Sequence, residues 1–404
     1  MNVDWRTKGL WLPGAAQSAE QFAAARHSLF GGAFTWPVMV ARRTAIAHNI
    51  GTLAAYCARH GLAFAPHGKT TMAPSLFTAQ LRAGAWAISA ATANQALAMR
   101  RLGVPRVLLA NELLDAGPLR WFAEEVGRGF EFLCYVDSAE GVAAASAAAR
   151  GGTRPLRVLV ELGHAGGRTG CRTVAELAAV ARAAAAAPGV ELAGVAGYEG
   201  GLSTVEDAAA YLTELRAATL ELAAAGLLGA EVIVTAGGSR YLDLVPAHLG
   251  GAWLPGRTLR TVLRSGAYVS HDDGIYRGWN PFRRVPGEGS LEAALEVWAQ
   301  VVSVPQDGLA IVGMGKRDVP HDEGLPVARR VRRADGTPAP AHGIEVLRLN
   351  DHHAYLGLTA GTPLRPGDLL GFGVSHPCTA FDRWRTVPVV EDDDTVSDLI
   401  ETYF

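Results

Sequence analysis

The chain has 404 residues, of which 49% are hydrophobic and 19% charged, and its formal net charge is −2. This length allows a large buried core and exceeds one small domain, so we expect two domains. The small net charge excludes a global field that would recruit nucleic acid or an acidic membrane surface, and no stretch approaches the roughly 18 uninterrupted apolar residues of a membrane span.

The four cysteines, Cys57, Cys134, Cys171 and Cys378, lie far apart in the sequence. This spacing favours a reduced, intracellular protein over a disulfide scaffold. The N-terminus has no apolar signal core, so we expect a cytoplasmic location. The basic run from residue 329 to 333 and the acidic run from 391 to 394 are interpreted as solvated surface segments.

In chain order, the first strand pattern covers residues 36–41, before a regular alternation of short apolar and longer alanine-rich segments begins. Eight strands are predicted near 62–66, 86–91, 106–110, 130–136, 156–161, 191–197, 231–235 and 260–265. Helices are predicted at 74–83, 93–102, 116–127, 138–149, 173–187 and 204–225, many of them opened by a Thr, Ser or Asp. Alternating βα units imply a parallel sheet, and eight of them permit closure into a (β/α)8 TIM-type barrel.

After about residue 290 the pattern changes to short strands between Gly and Pro turns, near 297–304, 310–312, 343–349, 354–359 and 368–374. The fold class predicted is therefore α/β, a barrel followed by a smaller β-rich C-terminal domain. The predicted boundaries are an N-terminal segment, 1–40, that pairs with the C-terminal domain, a barrel over 41–285, and a β-rich domain over 286–404.

Lys69, in the run Pro66-His67-Gly68-Lys69-Thr70, follows the first barrel strand. Working residues of βα barrels cluster at the carboxyl ends of the strands. A lysine in a dry pocket loses its proton more readily, and its amine can form a Schiff base with a carbonyl cofactor. The alternative on this motif alone is a solvated loop lysine.

Glycine-rich turns follow the seventh and eighth strands, where barrels commonly hold a phosphate through backbone N–H groups. A phosphate site that faces a strand-end lysine suggests pyridoxal 5'-phosphate. The candidate cofactor-binding residues are Lys69, Arg168, Tyr198, Gly237, Gly238, Ser239, Gly266 and Tyr268. The glycines could instead only permit tight turns, Arg168 could be a surface arginine, and Tyr198 could be a packing residue at the barrel rim.

His376-Pro377-Cys378 ends a strand of the second domain, and Asp351-His352-His353 is predicted on a nearby turn. A histidine and a cysteine thiolate two residues apart on an extended segment can both face one zinc ion. Two protein ligands leave open positions, as a catalytic metal site requires. The alternative is a buried cysteine beside a hydrogen-bonded histidine.

Four of these motifs, in this order, resemble the D-serine dehydratase and D-threonine aldolase family of fold-type III pyridoxal phosphate enzymes, whose barrel is related to that of alanine racemase. They are Pro66 to Thr70, Thr235 to Ser239, Asn350 to Ala354, and His376 to Cys378. The resemblance runs from about residue 35 to the C-terminus and is strongest to bacterial amino acid deaminases of the D-serine deaminase type.

The resemblance implies that Lys69 carries the cofactor and removes the Cα proton, that Tyr198 lies beside the pyridine ring, and that the glycine-rich turn holds the phosphate with help from Gly266. It implies a zinc ion at His376 and Cys378, a homodimer, and conversion of D-serine to pyruvate and ammonia. In the aldolases the second metal ligand is typically aspartate, so Cys378 favours the dehydratase branch.

The same resemblance leaves other functions open, because eukaryotic members usually carry a different residue at the position of Gly68. An aldolase acting on D-threonine or D-3-hydroxyaspartate would use the same groups and release glycine and an aldehyde. A racemase would have no use for the metal pair. A non-catalytic carrier of pyridoxal phosphate would need neither the metal ligands nor the second domain.

Overall fold

A computed structural model describes residues 2–404. The N-terminal segment contains β1 (Asn2–Val3), β2 (Gln17–Ser18), α1 (Ala19–Ala24) and β3 (Val38–Arg42). α2 (Arg43–Arg59) leads from β3 into the barrel. No helix among the described residues combines the length and apolarity needed to cross a bilayer.

The eight predicted barrel strands are all present, in one parallel sheet. They are β4 (Ala63–Phe64), β5 (Ile88–Ala90), β6 (Arg106–Glu112), β7 (Glu131–Val136), β8 (Leu156–Leu162), β9 (Val190–Gly197), β10 (Glu231–Ala236) and β11 (Thr258–Leu263). β4 pairs with β11 at one edge, and a bridge between His67 and Ser89 connects the chain after β4 to β5. The sheet therefore curls into the predicted barrel.

The six predicted helices are also confirmed, within one or two residues at each end. They are α3 (Pro74–Arg82), α4 (Ala93–Arg101), α5 (Ala116–Gly127), α6 (Ala139–Ala149), α7 (Val174–Ala186) and α8 (Val205–Ala224), followed by the short α9 (Val245–Leu249) and α10 (Ile275–Trp279). Thr92, Ser138, Thr173 and Thr204 cap α4, α6, α7 and α8 with their hydroxyl oxygens. These caps satisfy N–H groups that each helix start leaves unpaired.

The C-terminal domain is built on an antiparallel-rich sheet that includes the N-terminal strand β3. Its strands are β12 (Leu295–Gln306), β13 (Leu309–Val312), β14 (Val327–Arg332), β15 (Pro338–Pro340), β16 (Ile344–Leu349), β17 (Ala354–Leu358), β18 (Leu369–Gly373), β19 (Thr386–Val390) and β20 (Val396–Glu401). β3 pairs with β12 and with β19. This N-terminal strand is therefore part of the sheet of the second domain.

The interpretation of the two charged runs as solvated segments is wrong in part. Arg330 lies in β14 and contacts Asp394 at 3.1 Å and Glu296 at 3.3 Å, and Arg42 of β3 contacts the same two carboxylates. Asp394 is only 15% exposed. The basic and the acidic run carry charges of opposite sign, and residues of the two runs pair with each other in the folded protein. Neither run shows this ion pairing when it is considered alone.

Candidate functional site

A cavity of about 410 Å³ lies at the mouth of the barrel, between the strand ends and the C-terminal domain. This volume is within the range of small-molecule sites, roughly 300–1,000 Å³. We call it the mouth cavity. Eight residues singled out from the sequence line it: Lys69, Arg168, Tyr198, Gly238, Ser239, Gly266, His376 and Cys378.

Lys69 is presented by a tight helical turn, Gly68–Thr70, directly after β4. A Cβ atom on Gly68 would lie 2.6 Å from Met99 Cε and 2.8 Å from Ile88 Cγ2, so this close turn needs glycine. Burial, and then the positive charge of Arg168, lower the pKa of Lys69, although Cys378 opposes the shift. A lysine of lowered pKa is a better nucleophile and a better base at neutral pH.

Arg168 and Tyr198 form one wall of the mouth cavity. The guanidinium carbon of Arg168 lies 4.4 Å from the centre of the Tyr198 ring. The backbone N–H of Tyr198 donates to the hydroxyl of Tyr211 at 3.0 Å, which fixes the position of its backbone. Burial raises the pKa of Tyr198 and keeps its hydroxyl protonated.

The glycine-rich turn after β10 is held by a buried carboxylate. Glu199 accepts the N–H groups of Gly237 and Gly238 at 3.0 and 2.7 Å. Those two amides are already paired, so a phosphate at this turn would take its hydrogen bonds from Ser239 and the segment at Gly266. Ser239 and Gly266 both line the mouth cavity, and the Ser239 hydroxyl contacts that of Ser265 at 3.0 Å.

The Gly266 position is too crowded for a side chain. A Cβ atom there would lie 2.7 Å from both the Cβ and the carbonyl oxygen of His67. The neighbouring Tyr268 side chain points elsewhere: its hydroxyl accepts a hydrogen bond from Gln80 at 2.9 Å, and its ring packs on Phe64. Gly237 and Tyr268 therefore support the turns of the site, and neither lines the mouth cavity.

His376 and Cys378 meet the barrel at Thr70. The turn Pro377–Thr379 follows β18 and places Cys378 Sγ 3.6 Å from Thr70 Oγ1, next to Lys69 in the sequence. Asp322 contacts His376 Nδ1 at 2.7 Å and accepts the Thr379 hydroxyl at 2.7 Å. Burial opposes protonation of His376, but Cys378 and Asp322 together raise its pKa to about 9.

These residues fit the metal that the resemblance implies. With Nδ1 of His376 bound to a carboxylate, Nε2 is left for a metal, the arrangement by which carboxylates orient metal-binding histidines. His376 and Cys378 would provide two ligands, and nowhere in residues 2–404 are three or more His, Cys, Asp or Glu side chains grouped to hold a metal. A metal here would keep open positions for substrate.

The turn Asp351-His352-His353 does not join this pair. His352 Nδ1 lies 3.6 Å from Asp318, Asp351 contacts Arg317, and none of the three residues lines the mouth cavity. These side chains contact a different loop, the one that carries Arg317 and Asp318.

Several residues that line the mouth cavity or lie beside it had no role in the sequence analysis. Arg264, only 6% exposed, donates to Thr235 Oγ1 at 2.6 Å and to the Gly197 carbonyl at 2.7 Å. Glu161 lines the floor, and burial together with the nearby Glu161 raises the pKa of Glu112 to about 9. Their positions at or after the ends of barrel strands could have indicated these three residues in the sequence. No such pattern marks Asp322, because it lies on a separate loop.

Two family matches divide the chain as the structure does. Residues 42–254 match the family "Alanine racemase, N-terminal domain", and residues 294–390 match "Putative serine dehydratase domain". The first match covers the barrel from α2 to beyond α9, and the second covers most of the β-rich domain, including His376 and Cys378.

Relatives of known name are similar over most of the chain. A D-threonine aldolase of Arthrobacter sp. is 26% identical over 95% of this chain and 94% of its own length. A 3-hydroxy-D-aspartate aldolase of Paracoccus denitrificans (strain Pd 1222) is 27% identical over 72% of this chain and 74% of its own. The solved D-threo-3-hydroxyaspartate dehydratase of Delftia sp. HT23 superposes with a TM-score of 0.69, at 24% identity, over 91% and 97% of the two chains.

Proposed function

This chain belongs to the D-serine dehydratase-like family of fold-type III pyridoxal phosphate enzymes. On that premise we propose that it is a lyase that eliminates water from a β-hydroxy D-amino acid and forms a keto acid and ammonia. D-serine is the substrate that we propose. One observation carries the proposal. The barrel lysine and the His376–Cys378 pair line the same mouth cavity, with Cys378 Sγ 3.6 Å from the hydroxyl of Thr70.

The residues of the mouth cavity fit pyridoxal phosphate. Lys69 would hold its aldehyde, Ser239 and the turn at Gly266 would hold its phosphate, and Tyr198 and Arg264 would flank its ring. The bound cofactor supplies an electron sink that stabilises negative charge at Cα. We propose that the released Lys69 amine takes the Cα proton, a task for which its lowered pKa suits it.

The metal pair supplies the second half of the reaction. Hydroxide is a poor leaving group, and a divalent metal, zinc in our proposal, would act as a Lewis acid on the β-hydroxyl oxygen. His376 Nε2 and Cys378 Sγ would hold that metal, and Asp322 orients the imidazole through Nδ1. The net change converts D-serine into pyruvate and ammonia, with the atoms of one water eliminated and then returned.

The alternative is an aldolase, because two relatives carry that name. In that reaction a base removes the proton of the β-hydroxyl and the Cα–Cβ bond breaks. Cys378 favours elimination, because the resemblance associates cysteine at this position with the dehydratases.

Product analysis with D-threonine separates the two reactions. The dehydratase gives 2-oxobutyrate and ammonia, whereas the aldolase gives glycine and acetaldehyde. We expect 2-oxobutyrate and ammonia in equal amounts, and glycine as the main product would replace the dehydratase proposal by the aldolase.

We also propose a cytoplasmic homodimer. The four cysteines are all free thiols in the structure, which suits a reducing compartment. The dimer is proposed from the family resemblance, and the mass of the purified protein measured by light scattering tests it.

A further inference from the structure

The side of the mouth cavity next to the metal pair is apolar and aromatic. After β11 the chain forms α10, and three of its residues, Ile275, Tyr276 and Trp279, line the cavity. The Tyr276 ring centre lies 6.0 Å from that of His376 and 6.3 Å from that of Trp279. We call these three residues the outer wall.

Trp279 is held in place and yet open to a ligand. The guanidinium of Arg240 lies 4.3 Å from its ring centre, and that guanidinium donates to the carbonyls of Leu202 and Ser203. Trp279 remains 40% exposed. An aromatic surface that is fixed on one face and open on the other favours an apolar ligand group.

The charged residue that lines the cavity beside the outer wall is acidic, because the Arg240 guanidinium near Trp279 is not part of the lining and donates to two carbonyls. Glu323 lines the cavity beside the outer wall, and Asp322 contacts His376. The Cys378 thiolate and the Asp322 carboxylate would together offset the two positive charges of a divalent metal. A carboxylate on the substrate β-carbon would therefore meet Glu323 without a free positive charge to balance it.

The cavity also has few positively charged side chains that could bind a second substrate carboxylate. Apart from His376, which the proposed function assigns to the metal, its positively charged lining residues are Lys69, Arg168 and Arg264. Lys69 is committed to the cofactor, and Arg264 is fixed in the floor by Thr235 and Gly197. Arg168 is left to bind one carboxylate, the one on the substrate α-carbon.

We infer that, among β-hydroxy D-amino acids larger than D-serine, the mouth cavity selects those with a single carboxylate and an apolar, preferably aromatic, substituent on Cβ, and that it discriminates against a β-carboxylate. This inference rests on the proposed function for its substrate class. The inferred substrate preference differs from that of relatives named for 3-hydroxy-D-aspartate. The second carboxylate of that substrate would face the apolar outer wall and the acidic Glu323.

Binding of two amino acids that lack the β-hydroxyl tests the inference without any elimination. The holoenzyme is titrated with D-phenylalanine and with D-aspartate, and the dissociation constants are read from the change in the visible band of the bound cofactor. We expect D-phenylalanine to bind at least about tenfold more tightly, since a like-charge contact and a lost apolar contact both act against D-aspartate. Equal affinity, or tighter binding of D-aspartate, would overturn the inference.

Two variants locate the cause. Glu323→Lys is expected to shift the ratio of the two dissociation constants toward D-aspartate by about tenfold, and Trp279→Ala is expected to weaken D-phenylalanine by a similar factor. Glu345→Lys and Trp5→Ala make the same changes at exposed positions outside the cavity and should leave the ratio unaltered. If the ratio of the two dissociation constants changed equally in the test and control variants, the role inferred for the outer wall and Glu323 would be contradicted.

The outcomes separate this inference from the proposed function. If the protein forms neither keto acid nor glycine from D-serine and D-threonine, the lyase proposal fails while the binding ratio still decides the selectivity. If the protein is a lyase that prefers D-threo-3-hydroxyaspartate over D-threo-phenylserine in kcat/KM, the selectivity inference fails and the lyase proposal stands.

Discussion

The two halves of the mouth cavity are built in different ways. The barrel half takes its groups from the ends of parallel strands, so that Lys69, Arg168 and Tyr198 each follow a strand in regular order. The other half comes from loops of the β-rich domain, where His376 contacts Asp322 from a different loop. The barrel brings its residues together by topology, whereas the second domain needs tertiary contacts for the same result.

This difference predicts that the two halves have different functions in the reaction, which we call the division of labour. In the proposed reaction the barrel half would hold the cofactor and the base, and the domain half would hold a metal for the leaving group. Variants in the two halves should therefore fail differently: loss of the cofactor on one side, and loss of turnover with the cofactor retained on the other.

The largest effect is expected at the barrel lysine. Lys69→Ala removes the covalent anchor and the base, so the visible band of bound pyridoxal phosphate should disappear and activity should fall roughly 10³-fold or more. Absorption spectra and initial rates measure both effects. Lys316→Ala, an exposed lysine of the second domain, is the control. An intact band in Lys69→Ala would refute the cofactor assignment.

The next effect is expected at the metal pair. Cys378→Ser replaces a thiolate by a poor zinc ligand, so we expect kcat for D-serine to fall about 10²-fold while the cofactor band stays. Metal content by mass spectrometry should fall in parallel. Cys171→Ser is the matched control, because a serine there can keep the hydrogen bond that Cys171 Sγ donates to Asp137. A loss of the cofactor band in Cys378→Ser would contradict the division of labour.

A smaller effect is expected at Asp322. Asp322→Asn weakens the contact that orients His376, and loss of such a partner typically costs about 10- to 100-fold in metal affinity. Competition with a chelator of known affinity measures it. Asp382→Asn removes an equal charge from the turn after the metal pair and should change the affinity little. Equal affinities in the two variants would show that Asp322 does not position the histidine.

The smallest effect concerns stability, in the barrel half alone. The pKa of Glu112 in the folded protein is about 9, raised first by burial and then by Glu161, and in an unfolded chain it is about 4.3. The folded state therefore holds more protons between these two values, and this carboxyl lowers the free energy of unfolding as pH rises through that window.

Removal of that titration should stabilise the barrel. Glu112→Gln is expected to raise the free energy of unfolding by about 1 to 2 kcal/mol at pH 8, with a much smaller gain at pH 5, after allowance for the coupling of the two carboxyls. Denaturant titrations at the two pH values measure it. Glu345→Gln on the exposed face of β16 should show no such pH dependence, and a gain at pH 5 equal to that at pH 8 would exclude a buried acid as the cause.

The sequence was most informative where signals are local. The eight strands and six helices followed from periodicity and from caps such as Thr173, and the strand-end position of Lys69 followed from them. The need for glycine at position 68 was not a local signal, because its close contacts are with Ile88 and Met99 of later elements.

The rest depended on contacts between distant segments. In the second domain β14, β15, β19 and β20 were not predicted. The basic run hid β14, and prolines such as Pro338 and Pro388 and the acidic turn between the last two strands interrupt the alternating pattern of the others. The pairing of His376 with Asp322 spans 54 residues, and no spacing rule links the two loops. Tyr268 was predicted to bind the cofactor because it lies close to Gly266 in the sequence, but its side chain points away from the cavity.

The central claim is that the barrel lysine and the metal pair act on one substrate. The most direct test is to measure pyruvate and ammonia formed from D-serine by the holoenzyme before chelation, after chelation, and after zinc is restored, with the cofactor band followed throughout. We predict that both products form in equal amounts, are lost on chelation and return with zinc, while the cofactor band persists. Pyruvate formed at an unchanged rate after the metal has been removed would contradict the account.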